Sequence, residues 1–190
     1  MLTVWIVVGV VFLAIILIYN SLIGKKNEVE NIFGGLDAVL KKRYDLIPNL
    51  VAAVSQYMEH ERGLLERITE LRAQALQPDI DDARLMELDG KIASTLGSIM
   101  VAVENYPELK ASENILHLQR TLHEVEAQIS AARRAYNQAV TDLNNAIEMV
   151  PTNIMAKMMH LERKPVFEIS DAERENVDVD ALFQRSLRTS

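Results

Sequence analysis

The first 24 residues of the chain carry no charged side chain, and from Leu2 to Ile18 only Thr3 and Gly9 interrupt an apolar run. With Tyr19 to Ile23 the run reaches the ~20 residues that cross ~30 Å of hydrocarbon as a helix. In lipid the backbone must satisfy its own hydrogen bonds, so this stretch has to be helical. A cleaved signal peptide is the rival reading, and it wants a basic start and a small-x-small cleavage site. Nothing basic precedes the run, and Tyr19-Asn20-Ser21-Leu22 is a poor cleavage site. The expectation is therefore an uncleaved single-pass anchor over residues 1–23. Trp5 and Tyr19 stand where interfacial aromatics belong. Lys25 and Lys26 follow directly, with Lys41, Lys42 and Arg43 further on. By the positive-inside rule the body lies on the cytoplasmic side and the short N-terminus outside.

All 20 basic and 27 acidic residues lie beyond that anchor. A net charge of −7 argues against a duplex nucleic-acid binder, which needs clustered cations. There is no cysteine, so disulfides and thiol catalysis are excluded. Seven Gly, five Pro and abundant Ala, Leu, Glu and Gln read as all-α.

Helical periodicity runs through most of the body. From Asn20 to Gln77 the pattern is helical, with interruptions expected at Gly34-Gly35 and a kink at Pro48. Its seam is Ile47, Leu50, Val54, Tyr57, Glu61, Leu64, Ile68, Leu71 and Ala75. Gln77-Pro78-Asp79 is expected to end this element and to supply the next N-cap. Residues 80–105 carry a second stripe of Leu85, Leu88, Ile92, Leu96, Ile99 and Val103. Tyr106-Pro107 should stop it. A sustained heptad follows from Ile115 through Val125, Ile129, Tyr136 and Leu143 to Val150, implying one helix from about Glu108 to Val150 against long neighbours. Pro151 ends it and suits N1 of a short helix. There Ile154, Met155, Met158, Met159 and Leu161 crowd one side, either as a bundle cap or as a pliable partner or membrane surface. Phe167 and Ile169 are possible packing anchors, and residues 170–190 look like a partly ordered or flexible tail. The fold expected is an N-terminal transmembrane helix followed by a long-helix antiparallel bundle of three to four helices. Its parts are the anchor (1–23), the bundle (24–161) and the tail (162–190).

No catalytic or cofactor-binding constellation stands out. Di-iron bundles use Glu-x-x-His pairs, and none occurs; Glu113 and His117 are four apart. No His-Glu-x-x-His zinc signature or phosphate loop is present. The oddity is a set of polar residues on apolar faces. Glu61 lies in a seam with His60 beside it, and Arg133, Arg134, Tyr136 and Asn137 interrupt the long heptad. A buried carboxylate must be paired or protonated. We therefore expect a polar layer in which Glu61 or Asp45 meets Arg133 or Arg134, with Asn49, Tyr136 and Asn137 nearby. It reads as a register-setting device or as a ligand or partner site.

The stretch Leu40–His60, with Asp45-Leu46-Ile47-Pro48-Asn49, resembles the signature of the LemA family of small bacterial membrane-anchored helical proteins. Tyr106-Pro107-Glu108-Leu109-Lys110-Ala111-Ser112 is similar to that family's second block. Ala132-Arg133-Arg134-Ala135-Tyr136-Asn137, with Val140 and Pro151-Thr152-Asn153, is similar to its third. The resemblance covers roughly residues 19–167. Gly34-Gly35, Ala127, Leu143 and Val150 depart from the family's pattern. It implies an N-terminal transmembrane anchor, a long-helix bundle and a short extracytoplasmic N-terminus, and that no enzymatic activity should be assumed; the expected place is the bacterial inner membrane, and no metal or cofactor is expected. It also implies links to magnetosome membranes and to neighbouring membrane proteases. Expected partners are the lipid bilayer and further copies of the chain, with a membrane protease as a further candidate and no nucleic acid. The function expected is a self-associating membrane scaffold that organises or shapes the membrane, or alternatively an adaptor or regulator of a membrane protease or signalling enzyme.

Overall fold

In the computed structural model, residues 1–167 are described, and Ile169 and the tail from residue 170 lie outside them. The chain forms six helices with no strand among the described residues: α1 Leu2–Val54, α2 Arg62–Ala75, α3 Asp82–Val103, α4 Pro107–Lys110, α5 Glu113–Glu148 and α6 Thr152–Met158. Residues 23 and 24 fall inside the unbroken α1, so the apolar lead and the body share one helix of 53 residues.

That helix runs through both expected interruptions. Gly34 and Gly35 are exposed, and their cost of about 1 kcal/mol each relative to Ala is outweighed by burial of Val29, Leu36, Leu40, Ile47 and Leu50 along one face. Pro48 also lies within α1, with its ring exposed. Lacking an N–H, it leaves the Tyr44 carbonyl without its helical donor. Arg72 Nε on α2 donates to that carbonyl at 2.8 Å. The proline thus opens an acceptor that docks α2.

The chain breaks at Ser55–Glu61 rather than continuing to Gln77, and α2 folds back along α1. This shifts the expected seam. Tyr57 is exposed, while Met58 and Leu65 are buried in its place. Asp79 adopts a left-handed turn conformation (φ 64°). Asp81 is the N-cap of α3, its Oδ1 accepting from the Arg84 backbone N–H at 2.8 Å. Every residue of the α3 stripe from Leu85 to Val103 is buried. The single helix expected from about Glu108 to Val150 is divided by a break at Ala111–Ser112, after the single turn of α4, while the heptad from Ile115 to Leu143 lies in the unbroken α5. Pro151 stands at the N-cap of α6, one position before N1, and the Val150–Pro151 peptide is cis. Val150, the last heptad position, is exposed.

Side-chain pairs set the directions. Arg43 meets Glu126 and Phe33 meets Tyr136, so α5 runs antiparallel to α1 in step. Arg72 reaches Tyr44, Asp89 reaches Arg43, and Tyr106 bonds Glu61. With α2 returning along α1 and α3 rising beside it, α1, α2, α3 and α5 form an up-down-up-down bundle. One contiguous apolar core joins them, from Val29 and Leu36 on α1 to Leu143 on α5 and Phe167.

Candidate functional site

The middle of the bundle holds a polar layer built on Asp89. It sits on the buried stripe of α3, between Leu85 and Ile92, and is completely buried. Two guanidiniums clamp its carboxylate: Arg43 of α1 bonds Oδ1, and Arg133 of α5 bonds Oδ2. Arg43 is 1% exposed and also donates to Glu126 Oε2 at 2.6 Å. Tyr44 Oη lies 3.4 Å from Asp89. Burial, aided by the Asp89 charge, pushes the Tyr44 phenol well above its usual range. Two cations and two anions therefore cancel at the junction of three helices. Cancellation of this kind is what lets ionised groups sit in an apolar interior.

A second cluster lies one turn along α5. Tyr136 is fully buried, its ring 5.5 Å from both Phe33 and Phe167, the latter edge-on. Its Oη has no hydrogen-bond partner among the described residues, and burial, helped by the Asp82 charge, pushes its phenol up to about 12. Arg133 stacks over the Phe167 ring at 5.3 Å. Asn137 holds the Phe167 backbone from both sides, donating to its carbonyl at 2.9 Å and accepting from its N–H at 2.8 Å. Asn144, two turns on, does the same for Lys164, at 2.9 and 3.0 Å. Two asparagines seven residues apart thus act as a strand edge for the extended segment after α6.

The structure pairs the residues of the expected layer differently. Arg133 pairs with Asp89, not with Glu61 or Asp45. Glu61 lies at the far end of the bundle and accepts from Tyr106 Oη at 2.7 Å, a bond that raises the Tyr106 phenol. Asp45 faces outward to Lys41, with Arg72 3.9 Å away. Asn49 and His60 are exposed, and Arg134 turns to Ser130 on the surface. The break at Ser55–Glu61 explains the difference, because it removes Glu61 from the helix on which its seam position was counted. Asp89 and Arg43 were missed although both keep seam spacing, Asp89 four after Leu85 and Arg43 three after Leu40. Arg43 was counted among the flanking cations, yet it is spent inside the bundle. Lys25 and Lys26 are the partly exposed cations at the end of the apolar lead.

In this layer Arg43 Nε and Arg133 Nε are buried without a hydrogen-bond partner among the described residues. The Asp89 carboxylate is saturated by guanidiniums, and no group of three or more metal-ligating side chains occurs among the described residues. An open groove lies elsewhere, at the α1–α2 corner, lined by Val51, Met58, Leu65, Glu59, Glu66 and Glu70. The apolar lead is the other conspicuous surface. Its side chains, Trp5 and Tyr19 included, are exposed, and α1 is long and apolar enough there to cross a membrane.

The LemA family model matches residues 32–181. Protein LemA of Metamycoplasma hominis is 30% identical over 163 residues, covering 86% of this chain and 74% of that protein. Magnetosome protein MamQ 2 of Paramagnetospirillum magneticum is 22% identical, covering 94% of this chain and 75% of its own length. Magnetosome protein MamQ of Magnetospirillum gryphiswaldense is 20% identical over 89% of this chain and 71% of its own length. A family model covering most of the body, and a relative of this identity across most of both lengths, lead to one conclusion: the chain belongs to the LemA family.

Proposed function

We propose that this chain is a non-enzymatic helical scaffold, anchored by α1 in the bacterial inner membrane with its bundle on the cytoplasmic side, where copies self-associate. The observation that carries this reading is the continuity of α1. Its first part exposes a run of large apolar side chains, and the same helix then becomes the main element of the core. Such an exposed run is intolerable in water and natural in lipid. Leu22 is completely buried, so cleavage near Tyr19-Asn20-Ser21 would cut into a packed helix. Lys25 and Lys26 favour a cytoplasmic body. Tethering many copies to one surface raises their effective concentration, so weak lateral contacts suffice for an array. The similarity to magnetosome proteins supports an organising role at a membrane.

Particle size of the gently solubilised full-length chain, and of a shortened chain beginning at Lys25, tests this by light scattering and electron microscopy. Large uniform particles that depend on the anchor are expected. A monomer in both cases sinks the scaffold. The acid-rimmed groove at the α1–α2 corner favours a second reading, an adaptor or regulator of a membrane protease or signalling enzyme. One stoichiometric partner, lost on Glu66→Lys with Glu70→Lys at the exposed rim, would select it.

A further inference from the structure

The pairs Arg43–Glu126 and Phe33–Tyr136 are ten residues apart on each helix, so α1 and α5 stay level with one another. From Tyr136 to Glu148, α5 continues for about 18 Å at 1.5 Å per residue. The same distance back from Phe33 along α1 reaches Ser21, at the end of the apolar lead. The far end of α5 is therefore at the root of the anchor. Helix α6 packs there against both α1 and α5, and Leu22 and Ala156 are completely buried.

At this level the chain turns an apolar surface outward. Met149 is 62% exposed, Val150 77%, Ile154 63% and Met158 71%. Other exposed large apolar residues of the body, such as Leu76, Val101 and Leu116, are scattered singly. Lys25 and Lys26 lie on the neighbouring turn of α1, and Lys157 is exposed on α6 itself. Apolar side chains beside lysines, at the depth where a membrane helix leaves the hydrocarbon, are the composition of an interfacial contact.

We propose that the α5–α6 turn is a second membrane contact, with Met149, Val150, Ile154 and Met158 inserted into the headgroup–acyl boundary of the bilayer that α1 crosses. This rests on the anchor reading of α1. It converts a single-helix tether into a two-point mount that fixes the bundle's orientation over the membrane.

The chain has no cysteine, so single labels are unambiguous. Full-length Leu13→Cys, Val150→Cys, Ile154→Cys and Val101→Cys variants carry an environment-sensitive fluorophore in vesicles of mixed zwitterionic and anionic lipid. Nitroxides are placed shallow or deep on the lipid chains. The label at 13 is expected to be quenched by the deep nitroxide, those at 150 and 154 by the shallow one, and that at 101 by neither. Adding Ile154→Asp and Met158→Asp to the Val150→Cys variant is expected to cut its shallow quenching roughly threefold or more. Circular dichroism checks that the bundle is intact. Quenching at 13 but not at 150 or 154 overturns the second contact and leaves the anchor standing. A blue-shifted label at 150 that lipid nitroxides do not quench also overturns it, and assigns the face to protein: a second copy or residues 168–190. No quenching at 13 overturns the anchor itself.

Discussion

Replacing Asp89 by Asn keeps the side chain's shape and removes its charge. The native carboxylate is completely buried between Arg43, 1% exposed, and Arg133, whose side chain is 17% exposed. Without it, two guanidiniums converge on a neutral amide, and the remaining counter-charge is Glu126, 46% exposed. Leaving a buried charge without its partner costs about 3–5 kcal/mol, which for a chain of this size lowers Tm by roughly 6–20 °C. Arg133→Met should cost less, about 1–2 kcal/mol, because Asp89 keeps its bond to Arg43. Glu126→Gln removes a half-exposed partner and should cost about 0–1 kcal/mol. Replacing the three buried members together, Arg43→Met, Asp89→Leu and Arg133→Met, should recover most of the loss, since apolar replacement of a whole buried ionic set is close to neutral. Urea unfolding of the full-length chain in detergent, followed by far-UV circular dichroism, reads these as midpoint shifts at constant slope. The reasoning fails if Glu126→Gln costs as much as Asp89→Asn, or if Asp89→Asn unfolds at the native midpoint.

The docking of α2 through Pro48 gives a double-mutant cycle. Arg72→Ala is expected to cost about 1–2 kcal/mol in the native chain but clearly less in a Pro48→Ala background, where the helix supplies its own donor to the Tyr44 carbonyl; equal losses would refute the link. At high pH, Tyr44 and Tyr136 hold their protons above the ordinary value of 10.0. Their contribution to stability is therefore complete below about pH 10 and is lost as pH rises beyond it, each with a slope near 1.4 kcal/mol per pH unit. Tyr136→Phe should flatten the alkaline stability curve measured by thermal melts, and an unchanged slope would count against its burial as a phenol. Asn144→Ala and Asn137→Ala should release the segment around Lys164–Phe167, read as faster hydrogen exchange and cleavage there while α5 stays protected.

Much of the architecture was legible in one dimension. Alternating spacings of three and four marked the α3 stripe, and every member of it is buried. Pro107 and Pro151 mark the ends of α3 and α5 because proline and the residue before it resist continuing a helix. Gly34-Gly35 and Pro48 misled for the converse reason: local penalties of about 1–3 kcal/mol yield to burial of a whole helix face. The break at Ser55–Glu61 contains neither Gly nor Pro. It arises because α2 must return along α1 to bury Ile68 and Leu71.

The amino-acid sequence alone determined that the chain is helical, that its first segment is suited to lipid, where the seam of α3 lies and which family it resembles. These are local properties, set by composition and by a period of 3.6 residues. Tertiary structure alone decided which polar groups meet. Arg43, Asp89 and Arg133 are more than forty residues apart in sequence, and periodicity assigns a residue to a face without naming its partner. The same holds for the placement of α6 at the root of α1. It depends on the length of α5 and the register of two antiparallel helices, which no local window contains.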